Sequence, residues 1–247
     1  LIKKNSTTFN TLEPKLSLRF SPHEMKNHRG TSKRINIDNI YNNDRLALGD
    51  SFEEGGSLTF GFDYKKEIEE IEDYFEIKLA TILRNKEKRK IPDNSTLGGK
   101  QSNIFGQVNY NATKNISLNY DFSVKEDLNT FEYNAIDAKF TYENFFSDIS
   151  FIEEDGKFGS SNMIEHTTGY NFDEYNSIKF NTRRNRKINL TEFYDLIYQY
   201  KNDCLTADLK YKKTYYSDND VKPVQELFFT ISIVPLTTFS PDKILLK

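Results

Sequence analysis

The sequence predicts an all-β chain, about a dozen antiparallel strands of a transmembrane β-barrel. Three observations point there. Apolar and polar residues alternate with a period of two through most of the 247 residues. The alternating segments run to about nine to eleven residues, the length a tilted strand needs to cross a bilayer. A chain of mean hydropathy −0.71 nevertheless holds 20 Phe and 15 Tyr. Polar on average yet rich in rings is the composition of a wet lumen set between aromatic girdles.

Taken in order, the first alternating segment lies near 12–20, followed over 21–50 by a long loop with one short strand at 35–41. A turn cluster at 50–57 contains Gly55-Gly56. Leu58, Phe60, Phe62 and Tyr64 then alternate with Thr59, Gly61 and Asp63. The stretch KEIEEIED at 66–73 is the one place with helical spacing and predicts a turn of helix. Strand patterns follow near 74–84 and 103–111, separated by a turn cluster at 92–102. Ile116, Leu118, Tyr120, Phe122 and Val124 alternate with Ser117, Asn119, Asp121 and Ser123. Further strands are expected near 131–143, 145–153, 163–172, 177–184 and 191–201, with a turn at Asp155-Gly156. Leu205, Ala207, Leu209 and Tyr211 alternate with Thr206, Asp208 and Lys210, and after a turn at 218–223 a final strand covers 224–234. Long and short connections alternate, as they do where one rim carries tight turns and the other carries surface loops.

A soluble secreted β-sandwich that binds protein or sugar also alternates. Its strands, however, usually number about five to six residues, and its dry core has no place for the Lys, Asp, Glu and Asn of the second face. Alternation therefore assigns Thr59, Asp63, Asn119, Asp121 and Lys210 to a polar lumen. No apolar run reaches the ~18 residues of a membrane-spanning helix. The net charge of −3 is spread along the chain and leaves no nucleic-acid footprint. The chain opens at Leu1 with neither an apolar leader nor a cleavage site, which suits a mature or partial chain better than a precursor.

Catalytic patterns are missing from the sequence. There is no G-x-S-x-G, P-loop or H-E-x-x-H, and His23, His28 and His166 lack metal-ligand spacing. The pairs Glu53-Glu54, Glu69-Glu70 and Glu153-Glu154 are adjacent, so on a strand they face opposite sides and share no acid–base site. The expectation is no enzyme, with no cofactor and no metal. Two basic clusters stand out: Arg84, Lys86, Lys88, Arg89 and Lys90, and Arg183, Arg184, Arg186 and Lys187. They fit a solvated rim or, for Arg183 and Arg184 above all, contacts to lipid phosphate, which arginine binds bidentately. Cys204 is the one cysteine, either a half-buried free thiol or one whose partner lies outside this chain.

Two stretches resemble a known family. One is Asn43-Asp44-Arg45-Leu46, Leu48-Gly49-Asp50, Phe52-Glu53-Glu54-Gly55 and Ser57-Leu58-Thr59-Phe60-Gly61. The other runs from Glu192-Phe193-Tyr194-Asp195 through Asn202-Asp203-Cys204-Leu205 to Tyr215-Tyr216-Ser217-Asp218-Asn219-Asp220-Val221-Lys222-Pro223 and Leu227-Phe228-Phe229. Both are similar to the lipopolysaccharide-assembly outer-membrane proteins, the LptD/OstA family.

The resemblance implies a fragment covering 1–247 of a larger barrel, its carboxy-terminal part, in the outer membrane of a Gram-negative bacterium. Such barrels have about two dozen strands or more, at the upper end of the usual range. It implies lipopolysaccharide as cargo, with a plug lipoprotein (LptE-like), a periplasmic bridge protein (LptA-like) and the barrel-assembly machinery as partners. Acyl chains leave by a lateral seam between first and last strands; here the last strand is expected to hold Phe228, Phe229, Thr230, Ile231, Ser232, Ile233, Val234 and Pro235. Proline cannot donate to a ladder, so Pro235 is expected to shorten the pairing there. The family often pairs a cysteine near Cys204 with one in its periplasmic domain, but many relatives carry two adjacent cysteines where this chain has Cys204-Leu205. A general porin or receptor-type barrel is the alternative within the same fold.

Overall fold

The computed structural model describes residues 2–4, 7–68, 71–215, 223–233, 237–239 and 244–246. The chain is all-β and antiparallel. Its strands are β1 (Ile2–Lys4), β2 (Thr8–Ser21), β3 (Gly55–Ile68), β4 (Ile71–Arg84), β5 (Ile104–Thr113), β6 (Ile116–Val124), β7 (Phe131–Tyr142) and β8 (Phe145–Glu154). They continue as β9 (Asn162–Asn171), β10 (Asn176–Asn185), β11 (Leu190–Lys201), β12 (Leu205–Thr214), β13 (Gln225–Ile233), β14 (Thr237–Phe239) and β15 (Ile244–Leu246). No helix among the described residues is long and apolar enough to cross a membrane, which says nothing of strands.

The strands form two compact units. The first is Leu1–Ile136 with Ile152–Ser161, and the second is Asp137–Phe151 with Asn162–Lys247. In the first, β1 to β6 pair in chain order as an antiparallel meander. Register sorts the side chains into two faces, because residues directly opposite one another share a face. One row reads Leu16, Phe60, Thr81, and the next reads Pro14, Phe62, Leu79, Gly106, Phe122. This apolar face is bare: Leu16, Leu18 and Phe20 are 71%, 80% and 76% exposed. Apolar surface left open on this scale marks an interaction or membrane face. The opposite face carries the rows Glu13, Asp63, Lys78, Gln107, Asp121 and Lys65, Glu76, Asn109, Asn119.

In the second unit β9 to β13 again pair in order. Tyr170, Ile178, Tyr198, Leu209 and Phe229 lie in one apolar row, and Thr167, Asn181, Asp195, Lys212 and Glu226 in a polar row on the reverse face. The alternation of long and short connections is marked in the first unit, where loops at 22–54 and 85–103 contrast with the two-residue turn at 114–115. It fades in the second, where 172–175 and 186–189 are of equal length.

Three expectations are corrected. The stretch 35–41 is not a strand but a run of coil and turns whose Ile35, Ile37 and Ile40 are buried. An apolar alternation over so few residues reports burial, and here the burial is under a folded loop, not in a ladder. The stretch 66–73 gives no helix: Lys66–Ile68 close β3 and Ile71–Asp73 open β4, with 69–70 outside the described residues. Ladder pairing of Ile68 with Ile71 outweighs the local helical spacing of the glutamates. Finally, β13 is not the last strand. Its outer edge pairs with β14 over Ile231–Ile233 and with β15 over Gln225–Leu227.

Candidate functional site

The polar face of the first unit is graded along the strands. Toward the short-turn end it is a hydrogen-bonded ladder. Lys15 pairs with Asp63, Lys78 Nζ donates to Gln107 Oε1 at 3.2 Å, and Gln107 Nε2 donates to Asp121 Oδ1 at 2.8 Å. Asn109 Nδ2 donates to Glu76 Oε2 at 2.9 Å and Asn119 Nδ2 to Asn109 Oδ1. Every partner sits in the same or an adjacent register row, so alternation alone builds this surface. Lys, Glu, Asn and Asp so arranged stay hydrated, the property of a lumen wall and not of a dry core.

Toward the long-loop end the same face is covered. The 22–54 loop folds down over it, and Met25, Ile35, Ile37, Ile40 and Leu46 pack against Ala80 and Ile82 of β4 and Phe105 of β5. Ile91 and Leu97 of the 85–103 loop and Phe158 of the 155–161 loop complete the cluster. Tyr41 reaches the sheet at Gly61: a Cβ there would lie 2.6 Å from the Tyr41 hydroxyl and 2.1 Å from the Leu79 carbonyl oxygen, so only glycine admits this approach.

A carboxylate pins the cap. Glu53, at the loop's end, receives three arginines from three places. Arg45 of the loop donates its Nε to Glu53 Oε2 at 2.7 Å, Arg19 of β2 donates Nη1 to the same oxygen at 3.0 Å, and Arg84 of β4 bonds Oε1. Arg45 also donates to Thr59 Oγ1 and Ser57 Oγ, each at 3.0 Å, and Arg19 to the Asn42 carbonyl at 2.9 Å. Arg84 reaches the Glu54 carbonyl at 2.6 Å. The side chains of Arg45, Arg84 and Glu53 are 2%, 1% and 1% exposed. Burial would raise the Glu53 carboxyl, but the hydrogen bond and charge of Arg45, then Arg84 and Arg19, outweigh it and hold the group below the ordinary carboxylate value. Glu54 is also lowered: burial opposes, and the Met25 amide at 2.9 Å and Lys88 at 3.1 Å prevail.

The polar face of the second unit has ladder pairs and no cap among its described residues. Lys210 Nζ meets Asp195 at 2.7 Å, and Gln199 Nε2 donates to Asp208 at 2.7 Å. Arg183 is held by Glu192 at 2.5 Å and by Glu165 at 3.3 Å. Arg183 and Lys212 flank the Phe193 ring at 5.1 and 5.4 Å.

These placements sort the residues singled out in the sequence. Thr59, Asp63, Asn119 and Asp121 share the polar face of the first unit, Thr59 beneath the cap and the others in the open ladder. Lys210 lies on the polar face of the second. Arg183 is engaged by two carboxylates, whereas Arg184 is exposed and bonds the Asn189 side chain. In the other basic cluster Arg84 is buried in the pin, Lys88 holds Glu54, and Lys90 holds Glu24 at 2.9 Å. Cys204 is exposed, not half-buried, in the 202–204 turn, its amide donating to Asn202 Oδ1 at 3.0 Å. Phe228 to Ile233 lie in β13, while Val234 and Pro235 fall outside the described residues. His28 bonds Asp50 and Ser51, His166 bonds Ser147, and no group of metal-ligating residues occurs among the described residues. Sequence reasoning missed the pin; its trace is Arg45 amid buried isoleucines and the Glu53-Glu54 pair before Gly55.

The model of the family LptD, LPS transport system D, matches residues 2–155, well over half of the chain. The chain belongs to the LptD family. That family is one of lipopolysaccharide transport and of the outer membrane, which accounts for a sheet with one apolar and one hydrated face. The match runs from β1 to the end of β8 and takes in the 22–54 and 85–103 loops with the Glu53 pin. Neither the porin alternative nor the soluble sandwich is favoured by it. Among curated proteins none matches the chain.

Proposed function

We propose that this LptD-family chain is the carboxy-terminal barrel portion of a lipopolysaccharide translocon, acting by passage and not by catalysis. The observation that carries the reading is the pairing of a family match over 2–155 with a sheet whose faces divide into bare apolar and hydrogen-bonded polar rows. Asp63, Asn119, Asp121 and Lys210 line the hydrated route for the sugars, with Thr59 under the cap at its mouth. Acyl chains leave through a seam at the carboxy-terminal edge, formed by β13 with Phe228–Ile233 and the two short strands that follow it. Val234 and Pro235 belong to the same segment by sequence. A plug lipoprotein, a periplasmic bridge protein and the barrel-assembly machinery are the expected partners, in the outer membrane of a Gram-negative cell. Cys204 lies at the same end of the second unit as the two-residue turn 143–144, since connections of a meander alternate ends. Short turns face the periplasm in such barrels, and the exposure of the thiol supports the reading that it pairs with a periplasmic domain. Arg184, and Arg183 when its carboxylates yield it, are the proposed contacts to lipid phosphate.

The test compares neighbours on opposite faces of β6 in the full-length protein. Asp121→Leu is expected to lower surface delivery of lipopolysaccharide several-fold, while Tyr120→Leu leaves it near wild type. Equal loss from both substitutions would reject the assignment of faces.

A further inference from the structure

The apolar face of the second unit changes character along its strands. Past the row of Tyr170, Ile178, Tyr198, Leu209 and Phe229, toward the 186–189 turn, comes Thr168, Phe180, Leu196, Tyr211 and Leu227. The row after that reads His166, Thr182, Tyr194, Lys213 and Gln225, and beyond it Arg184 stands opposite Ile164 and Thr191. Alternation keeps Arg184 on this face and Arg183 on the polar one. Three cations gather at the rim. Lys213 Nζ lies 5.0 Å from the Tyr215 ring centre, the Arg186 guanidinium lies 5.4 Å from that of Phe151, and Arg184 bonds the Asn189 side chain. None of the three has a carboxylate partner among the described residues. Rings stand between them: Phe180 stacks on Tyr194 at 5.7 Å, and Tyr194 meets Tyr215 edge-on at 5.6 Å. In the first unit the apolar face has no such rim, and the row toward its long loops is Leu18, Leu58 and Leu83.

Cations without carboxylates above an apolar band, with rings at the join, match a molecule with an anionic head and an apolar tail. Long basic side chains lay their stems on apolar surface and keep the charge in water. Aromatic rings collect at the level of lipid headgroups, and arginine takes phosphate bidentately. We infer that this rim is a binding site for a phosphorylated lipid of the surrounding leaflet. Its phosphate sits on Arg184 and Lys213, and its acyl chains run along Leu196, Tyr198 and Leu209, all half-exposed. A zwitterionic lipid brings a cation of its own to the same place and is held less tightly. The inference rests on the reading of the apolar face as the one toward lipid, and it deepens the role of Arg184: the lipid there is a resident of the wall, not cargo on the polar face.

The experiment is native mass spectrometry of the full-length protein in detergent, with dioleoyl phosphatidic acid, dioleoyl phosphatidylcholine and inorganic phosphate as probes. Phosphatidic acid is expected to bind about tenfold more tightly than phosphatidylcholine, and R184Q/K213Q to weaken it by about the same factor. R184Q alone, at an exposed position, serves as the second variant, with a smaller loss in the same direction. K179Q, on the polar face opposite Gly169 and Ile197, is expected to bind as the wild type does. Equal binding of the two lipids, phosphatidic acid unaffected in both Arg184 variants, or an equal loss in K179Q would each overturn the inference. Displacement of the lipid by inorganic phosphate at equal concentration would also overturn it, by showing a bare anion site. Surface delivery of lipopolysaccharide is followed in the same proteins. Normal delivery without lipid preference removes the rim site and leaves the translocon reading; lipid preference in a protein that delivers nothing does the reverse.

Discussion

The two units solve the same problem differently. Both present a hydrated face of paired strand residues, yet every fully buried apolar side chain among the described residues belongs to the first: Met25, Ile35, Ile40, Ile82, Leu97, Phe105 and their neighbours. The second unit buries Asp195 and Glu226 instead, both polar. One half thus carries a core of the kind soluble proteins have, made from its loops, while the other is held by its ladders. A barrel wall needs no interior core of its own, because lipid on one side and water on the other satisfy its two faces. The core of the first unit is therefore an addition to the wall, and its purpose is to keep the cap down.

The sharpest way to break this contrast is at Glu53. Glu53→Gln leaves three guanidiniums sharing a neutral amide, two of them buried, and removing one partner of a buried ion pair costs about 3–5 kcal/mol. Amide exchange at Met25 and Ile40 is expected to rise steeply, with exchange in β10 to β12 unchanged. Uniform exchange across both units would mean that the cap and the wall are one cooperative structure.

Next in size is the seat of Tyr41. Gly61→Ala places a Cβ against the Leu79 carbonyl and the Tyr41 hydroxyl, an overpacking expected to cost about 1–3 kcal/mol. Gly169→Ala in the second unit meets the Phe146 ring at 2.3 Å, and also the Ile178 carbonyl oxygen at 2.7 Å. Measured by thermal unfolding, both variants lose stability, but only Gly61→Ala also raises proteolysis within 22–54.

Acid separates the units through Glu53. Its folded value is depressed, so the stability it contributes is fully present above the unfolded value of about 4.3 and is lost as pH falls through the folded value. Cleavage of the cap by an acid-active protease is expected to begin below about pH 4, and Glu53→Gln abolishes the pH step by making the cap open throughout.

The smallest expected effect is at Arg184 in the second unit. Arg184→Glu changes an exposed group bonded to Asn189, and stability is expected to move by no more than about 0.5 kcal/mol. A larger change in chemical denaturation would show that the second unit depends on packing that its exposed surface does not suggest.

The strands were legible because each carries its own evidence. Ile116 to Val124 alternate without interruption and form β6 with those bounds, and Leu58 to Tyr64 mark the middle of β3. The ladder residues Asp63 and Asp121 were legible for the same reason. The cap was not, because its logic lies in register. Nothing local to Glu53 tells that Arg19 and Arg84, 34 and 31 residues away, end up at its two oxygens. Ile35, Ile37 and Ile40 announced burial, and a strand was the nearest local explanation for it. The strand pair after β13 was hidden by brevity: three residues at Thr237–Phe239 and three at Ile244–Leu246 are too few for a period to show.

One contact sets the order in which the molecule can be finished. Arg34, in the loop after β2, closes on Glu154 at the end of β8, across 120 residues of chain. A contact that distant cannot be rewarded until the intervening strands have been placed, since the entropy of closing so long a loop comes first. The lid is thus sealed from the far side of the unit, after its wall is built. Arg19 and Arg84 of the Glu53 pin come from only 34 and 31 residues away, so by the same argument they can close early, and the Arg34–Glu154 contact is the late tie that completes the cover.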